Sequence, residues 1–269
     1  MSAAAYLRCL AGTIWRELLR FVHQRGRFVA ALVRPLVWLV IFAAGFRMAL
    51  GVAIMPPYQT YILYEVYIVP GLIGMIQLFN GMQSSLSMVY DREMGSMRVL
   101  LVSPLPRWFL LVAKLLAGTL VSIVQVYAFL LIAYLYGIDL PAWGYLLALP
   151  ALILTGLMLG SLGLLLSSLI RQLENFAGVM NFVIFPMFFI SSALYPIWRI
   201  RESSPLIANL ASFNPFTHAV EMIRFALYEQ LNITAAGIVL GTTLVLLALA
   251  ILGYNPSRGM MARRAAATG

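Results

Sequence analysis

Long apolar runs separated by short polar segments occupy most of the chain. Six of these runs have about the length that a helix needs to cross a lipid bilayer, which is roughly 20 mainly apolar residues. The runs cover residues 28–46, 66–89, 108–135, 143–169, 175–194 and 233–254. The pattern therefore predicts an all-α integral membrane protein with six transmembrane helices.

The first run is the least uniform, because Arg34 and Pro35 lie inside it. An Arg near the end of a span can extend its guanidinium group to the lipid headgroups. A Pro is tolerated within a span where neighbouring helices satisfy the carbonyl group that it frees. We therefore retain this run as the first span.

The segment before the first span has an amphipathic pattern. Apolar residues recur there at helical spacing, with Arg on the other faces: Leu7, Leu10, Ile14, Leu18 and Phe21. This pattern is typical of a helix that lies along the inner membrane surface. A basic anchor and a docking site for a partner fit the pattern equally well.

The segment between the fifth and sixth spans also has helical features. Asn214 is a helix-capping residue type, and Pro215 follows it at the first helical position. Glu221 and Arg224 are spaced to form an ion pair on that helix. We expect a short helical hairpin at the outer surface rather than a seventh span.

Composition supports a membrane protein. Hydrophobic residues make up 62% of the chain and charged residues only 10%, whereas a soluble domain has about 25% charged residues. The net charge of +9 is explained by the basic cytoplasmic loops of membrane proteins, so we expect no nucleic-acid partner. The lipid bilayer is the expected surroundings.

The basic residues also predict the orientation. With the N-terminus inside, 14 of the 18 Lys and Arg residues fall on the inner side, which places both termini in the cytoplasm. The chain is interpreted as a single domain over residues 1–269. It comprises a cytoplasmic interfacial helix (1–27), a six-span bundle (28–254) and a cytoplasmic tail (255–269).

Catalytic patterns are missing from the sequence. The two histidines, His23 and His218, are predicted at opposite membrane faces, so neither has a catalytic partner within a span. No GxxxxGK[ST] motif is present to bind ATP. We therefore expect no catalytic residue, metal site or cofactor in this chain, and a separate polypeptide as the source of energy.

Mildly polar residues within the spans are the candidates for a translocation path: Gln77, Asn80, Ser84 and Ser87 on the second span and Asn181 on the fifth. For the second span, path lining and helix packing are equally consistent with the pattern. The small residues of the fourth span favour helix packing: Gly156, Gly160, Gly163 and Ser167.

The loop between the second and third spans has a pattern of its own. Met94, Met97 and Leu101 recur at helical spacing, and Pro104 and Pro106 end the pattern. The spacing predicts a short amphipathic helix at the inner interface. A simple surface helix is the alternative interpretation.

The stretch DREMGSMRVLLVSPLPRWFLLVAK resembles the cytoplasmic loop of ABC-2 type permeases, the transmembrane subunits of ABC exporters. The matching positions are Glu93, Gly95, Ser96, Leu100, Leu101, Ser103, Pro104, Arg107 and Lys114. FNPFTHAVEMIRFALY resembles the outer motif of the same family through Asn214, Pro215 and Arg224, and RPLVWLVIFAAGF resembles its first span. One departure is Met97–Arg98, where an apolar–acidic pair is usual.

The resemblance implies a permease without its own ATPase site, in a bacterial inner membrane. It pairs with a second permease copy and two ABC ATPase subunits that bind ATP and Mg. A homodimer is expected, although no pairing code distinguishes it from a heterodimer. The ATPase would dock on the coupling helix, formed by Asp91, Arg92, Glu93, Gly95, Ser96, Met97, Arg98 and Leu101.

The expected function is export of an amphipathic or lipid-linked solute by alternating access. The alternative is a permease-like subunit that extracts lipid or polymer, or that regulates a partner, without exporting a solute.

Overall fold

The computed structural model describes residues 3–23, 25–46, 55–93, 105–170 and 172–253. These residues form ten α-helices: α1 (Ala3–His23), α2 (Arg25–Phe46), α3 (Tyr64–Glu93), α4 (Arg107–Leu135), α5 (Gly144–Leu169), α6 (Leu173–Phe189), α7 (Ile197–Ser203), α8 (Pro205–Phe213), α9 (Pro215–Leu227) and α10 (Ile233–Gly253). No strand occurs within these ranges, which confirms the all-helical prediction for them.

Three helices are long and apolar enough to cross a membrane, namely α4, α5 and α10. Shorter apolar stretches lie on α2 (Ala31–Phe42) and on α6 (Leu173–Phe189). The helix in place of the second predicted span, α3, has 30 residues, and polar side chains reduce the mean hydropathy of its second half. The composition and length of these helices are those of an integral membrane protein.

Helix α3 lies at the centre of the bundle and packs against α2, α4, α5, α6 and α9. Along residues 67–78, nearly every side chain is buried. Since protein encloses this helix, its polar groups can find partners without contact with lipid. This explains how a helix with a polar stripe can occupy the centre of an otherwise apolar bundle.

Small residues allow α3, α4 and α5 to approach closely. A Cβ atom added to Gly81 on α3 would lie 3.0 Å from the backbone nitrogen of Gly160 on α5. A Cβ atom added to Gly156 would lie 2.8 Å from the side chain of Thr119 on α4. These contacts confirm that the small residues of α5 form a packing surface.

The segment after α6 forms three short helices, which corrects the prediction of a two-helix hairpin. Proline explains the division, because it favours the first helical position and forces the residue before it into an extended conformation. Ser204 precedes Pro205 with φ −154° and ψ 104°, and Asn214 precedes Pro215 with φ −70° and ψ 118°. Each pair ends one helix and begins the next.

Helix α1 contains all the residues of the predicted apolar pattern but ends at His23, and α2 already begins at Arg25, within the predicted 1–27 segment. Helix α1 packs against α4 and α2. The ring of Tyr6 contacts Phe109 edge to face, with 4.9 Å between ring centroids. A second apolar stripe, which includes Leu7, Trp15 and Val22, is exposed. The position of α1 at the membrane surface stays a prediction.

Gly71 provides a test of how tightly the centre of the bundle is packed. A Cβ atom at Gly71 would collide with the backbone carbonyl of Ala193. We expect Gly71→Ala to lower the free energy of unfolding by about 1–3 kcal/mol, measured as thermal unfolding in detergent.

The matched control is Gly178→Ala on α6, because nothing lies within 4 Å of an added Cβ atom there. In a helix interior, replacing Gly by Ala stabilises by about 0.5–1 kcal/mol. Equal unfolding temperatures for the two variants would show that the contact with Ala193 does not constrain the bundle.

Candidate functional site

A buried turn links α6 to α7 at the end of the bundle where α3 begins. Residues 191–194 of this turn are at most 1% exposed, and they are not helical, so their carbonyl groups have no partners within a helix. Buried backbone carbonyls require hydrogen bonds. Side chains from α3 and α9 supply them to the carbonyl groups of Ser192 and Leu194.

Asn214 connects the start of α9 to the end of α6. Its side-chain Nδ2 donates to the carbonyl groups of Met187 (2.8 Å) and Ile190 (2.6 Å). Its Oδ1 accepts from the backbone N–H of Phe216 at 3.0 Å. The predicted cap is confirmed, with Pro215 at the first helical position, and the same side chain also satisfies two carbonyl groups of another helix.

Arg224 is fully buried and connects α9 to the turn. Its Nη2 donates to the carbonyl of Ser192 at 2.9 Å, and its Nη1 pairs with Glu221, which confirms the predicted ion pair. The guanidinium carbon lies 4.1 Å from the ring centroid of Tyr67, a cation–π contact. The Tyr67 hydroxyl also donates to the Ser192 carbonyl, at 3.0 Å.

Two more tyrosines complete this group of contacts. Tyr64 donates to the carbonyl of Leu194 at 2.8 Å, and Tyr58 contacts Tyr228 edge to face at 4.7 Å. Burial raises the pKa of Tyr58 to about 12, although the nearby Arg224 opposes the shift. Tyr58 therefore remains a neutral phenol at physiological pH.

We call Tyr64, Tyr67, Asn214, Glu221 and Arg224 the carbonyl-binding cluster. It joins α3, α9 and the turn after α6 into one unit. The outer-motif residues Asn214 and Arg224 were predicted from the sequence, but the two tyrosines were not. The aromatic spacing at the start of α3 was a signal that could have identified them.

Among the candidate path residues, Gln77 lies in a helix interface. Its Nε2 donates to the carbonyl of Leu152 on α5 at 2.7 Å, and its Oε1 accepts from Thr155 at 2.6 Å. Gln77 is 1% exposed. In this conformation its hydrogen bonds serve the packing of α3 against α5.

The other residues of the α3 stripe line a cleft between α1, α3 and α4. Ser84 and Ser87 face this cleft, and Asn80 lies beside them with its Nδ2 donating to the carbonyl of Gly118 at 3.2 Å. Asn181 lies on the exposed surface of α6, outside the cleft. The path-lining role of these residues stays a prediction.

Only three of the predicted coupling residues belong to the described part of the chain. Asp91, Arg92 and Glu93 form its last turn, so the helix continues directly into the segment that the sequence singled out. Gly95, Ser96, Met97, Arg98 and Leu101 lie outside the described residues. Their coupling role stays a prediction.

Comparisons with known proteins give one consistent family. Residues 10–228 match the family model described as ABC-2 type transporter. The putative transport permease ycf38 of Cyanophora paradoxa is 28% identical over 214 residues, covering 76% of this chain and 70% of the relative.

Two further relatives are matched over different shares of their own length. The probable multidrug ABC transporter permease YbhR of Escherichia coli K12 is 32% identical over 171 residues, covering 62% of this chain but only 45% of the relative. Nodulation protein J of Rhizobium leguminosarum bv. viciae is 24% identical over 227 residues, covering 81% of this chain and 82% of the relative.

The carbonyl-binding cluster predicts the effect of removing its cation. Arg224→Met removes the donor to Ser192 and leaves Glu221 without its partner. Breaking a buried pair in this way costs about 3–5 kcal/mol, and we expect the lower end because the Glu221 side chain is 19% exposed. Thermal unfolding of the purified protein in detergent measures the loss.

Arg201→Met is the control, since Arg201 is an exposed cation on α7 in the same segment. It should unfold within a degree or two of the unmodified protein. If both variants unfold alike, Arg224 does not hold the segment in place.

Proposed function

Because the chain belongs to the ABC-2 type transporter family, we propose that it works as the membrane permease of an ATP-binding-cassette exporter. Proteins of this family are transport permease subunits of ABC transporters. The observation that carries the proposal is the extent of the match, which runs from α1 through α9. It therefore includes most of α1, the predicted coupling segment and every proposed span except α10.

The proposed topology has six spans, α2 to α6 and α10, with both termini in the cytoplasm of a bacterial cell. The excess of basic residues in the predicted inner segments supports this orientation. It places the carbonyl-binding cluster at the outer surface and the Glu93 end of α3 at the inner surface. The short length of α6, 17 residues, fits a span that ends in the buried turn.

Energy is proposed to enter at the segment from Asp91 to Leu101, where a separate ATPase with bound ATP and Mg docks. This segment begins within the last turn of α3, and α3 contacts five other helices of the bundle. A force applied at the Glu93 end therefore reaches much of the bundle through one rigid element. Rigid-body switching of this kind is typical of alternating access.

The proposed cargo is an amphipathic or lipid-linked solute. The apolar spans with a few amide and hydroxyl side chains support this class over a free ion, and the printed name of YbhR includes multidrug transport. We propose a homodimer. Exposed Phe182, Phe185 and Phe189 on α6 provide an apolar surface for a second copy or for lipid.

Charge reversal tests the coupling segment. We expect the double variant Glu93→Arg with Arg98→Glu to insert normally but to lose ATP-driven transport. Opposed like charges at an interface cost several kcal/mol, so docking of the ATPase should weaken by at least about tenfold. The measurements are co-purification with the ATPase and uptake of a fluorescent rhodamine dye by inverted proteoliposomes.

The control exchanges Arg201 and Glu202 on α7, which are exposed neighbours at the opposite end of the bundle. It should leave both measurements unchanged. Normal docking and transport in the Glu93/Arg98 variant would refute the coupling role. Docking and ATP hydrolysis without transport of any amphipathic probe would favour the non-exporting alternative.

The topology can be tested with single cysteines. In a Cys9→Ala background, Ala4→Cys on α1 should be protected from a membrane-impermeant thiol reagent in intact spheroplasts. Asp139→Cys, in the exposed connection between α4 and α5, should react. Labelling at both positions or at neither would contradict the proposed orientation.

A further inference from the structure

A second polar region lies between α1, α2, α3 and α4. It is a cleft of about 160 Å³, lined by polar and charged side chains from three helices, among them Arg34, Asn80, Gln83 and Gln125. A continuation of about 40 Å³ shares three of these residues and reaches Glu17 and Arg20 on α1. We call the two together the polar cleft. A single water needs only about 10–15 Å³, so the cleft admits a much larger group.

Gln125 and Arg34, which both line the polar cleft, have no polar partner among the described residues. Gln125 is 4% exposed, and its Oε1 accepts no hydrogen bond within the described part of the chain. Arg34 takes part in none of the ion pairs among the described residues. Its guanidinium carbon instead lies 3.8 Å from the ring centroid of Phe79, which holds the group beside the cleft.

A buried amide oxygen without a partner is unfavourable, so a ligand that donates a hydrogen bond to Gln125 would be stabilised there. Gln77 provides the contrast within the same bundle, since both ends of its amide are hydrogen-bonded. The two glutamines therefore differ in what they offer. Gln77 completes a helix interface, whereas Gln125 has an unpaired oxygen on a side chain that lines the polar cleft.

The charges around the polar cleft favour an anion. Glu17 lies 3.2 Å from Arg16 and 3.5 Å from Arg20, so its charge is compensated within α1. Arg34 then remains as the uncompensated charge among the described lining residues. Phosphate is one of the two anions, with carboxylate, whose geometry matches the guanidinium group.

The depth of the polar cleft indicates where this phosphate comes from. At 1.5 Å per residue, Gln83 lies about 28 Å along α3 from Tyr64. The hydrocarbon layer of a bilayer is about 30 Å thick. With Tyr64 at the outer surface, as the proposed topology has it, Gln83 reaches the level of the inner headgroups. Phe79, over which Arg34 lies, is about 6 Å short of that level.

The neighbouring surface of α2 is suited to acyl chains. Beyond Arg34, towards the Tyr64 end of the bundle, Val37, Val40 and Ile41 are exposed and apolar. A lipid with its phosphate beside Arg34 would lay its chains along these residues. A small soluble phosphate ester would leave them unused.

From these observations we infer that the polar cleft binds an inner-leaflet phospholipid whose headgroup carries both a phosphate and a hydrogen-bond donor, as in phosphatidylglycerol. Arg34 binds the phosphate, the Gln125 oxygen accepts from the headgroup hydroxyl, and the amide of Gln83 contributes at the rim. The leaflet depends on the proposed topology. The binding itself depends on neither an ATPase nor transport.

The test measures lipid binding to the full-length protein by native mass spectrometry and by thermal unfolding in detergent. The probes are phosphatidylglycerol, phosphatidylcholine and glycerol 3-phosphate. Phosphatidylglycerol should bind and raise the unfolding temperature. Phosphatidylcholine, which lacks the donor, should bind at least about tenfold more weakly, the loss expected for one unsatisfied buried acceptor.

The variants separate the two contacts. Arg34→Met should weaken phosphatidylglycerol binding by about ten- to hundredfold, the value of a charge-assisted hydrogen bond, and Arg34→Lys should retain most of it. Gln125→Met removes the acceptor and should weaken phosphatidylglycerol binding by at least about tenfold, to the level of phosphatidylcholine. Arg201→Met, an exposed cation outside the polar cleft, is the control and should bind as the unmodified protein does.

Three results would overturn the inference. Equal phosphatidylglycerol binding by the Arg34→Met and Arg201→Met variants would remove the cation from the site. Equal affinity for glycerol 3-phosphate would make the ligand a soluble phosphate ester. Unchanged phosphatidylglycerol binding by Gln125→Met, which has nearly the same size without the acceptor, would exclude Gln125. This variant keeps the inference testable if Arg34→Met does not fold. Failure of the exporter proposal would leave all these measurements as they are.

Discussion

The constraint on which this structure depends is that a bundle in lipid must satisfy its own backbone hydrogen bonds. In the buried turn after α6 the residues are not helical, so their carbonyl groups lack the hydrogen bonds that a helix would provide. Asn214 and Arg224 restore it from α9, and two tyrosines do so from α3. The segment from α7 to α9 is therefore attached to the central helix through the carbonyl groups of the turn.

The central position of α3 connects the two ends of the molecule. Its first residues hold the carbonyl-binding cluster, its middle is packed against glycines of α5, and its last turn leads into the proposed coupling segment. A helix whose first half is enclosed in this way and whose second half packs closely on α5 has little freedom to bend independently. A movement of its inner end should therefore displace the helices that pack against it.

Much of the architecture could be predicted from apolar run lengths, because lipid imposes nearly the same length on every span. The cap at Asn214 and its ion pair on α9 were also predictable, since both are local in sequence. Tertiary contacts were not. The pairing of Tyr67 with Ser192 joins residues 125 positions apart, and nothing in the spacing of either segment specifies it. The three-helix division after α6 depended on prolines whose effect the hairpin prediction underestimated.

Sequence pattern does not distinguish polar residues that pack helices together from polar residues that line a cavity. Gln77 and Gln125 are the same residue type, each in an apolar helix and each nearly inaccessible to solvent. The nitrogen and the oxygen of the first amide are both hydrogen-bonded at the interface with α5. The second has an unpaired oxygen on a side chain that lines a cleft containing a cation. Periodicity assigns Gln77 to a possible path and gives no role to Gln125. The hydrogen bonds in the structure indicate the opposite, that Gln77 serves packing and Gln125 is the better candidate for binding. A buried polar group without a partner is unfavourable, and a bound headgroup would provide that partner.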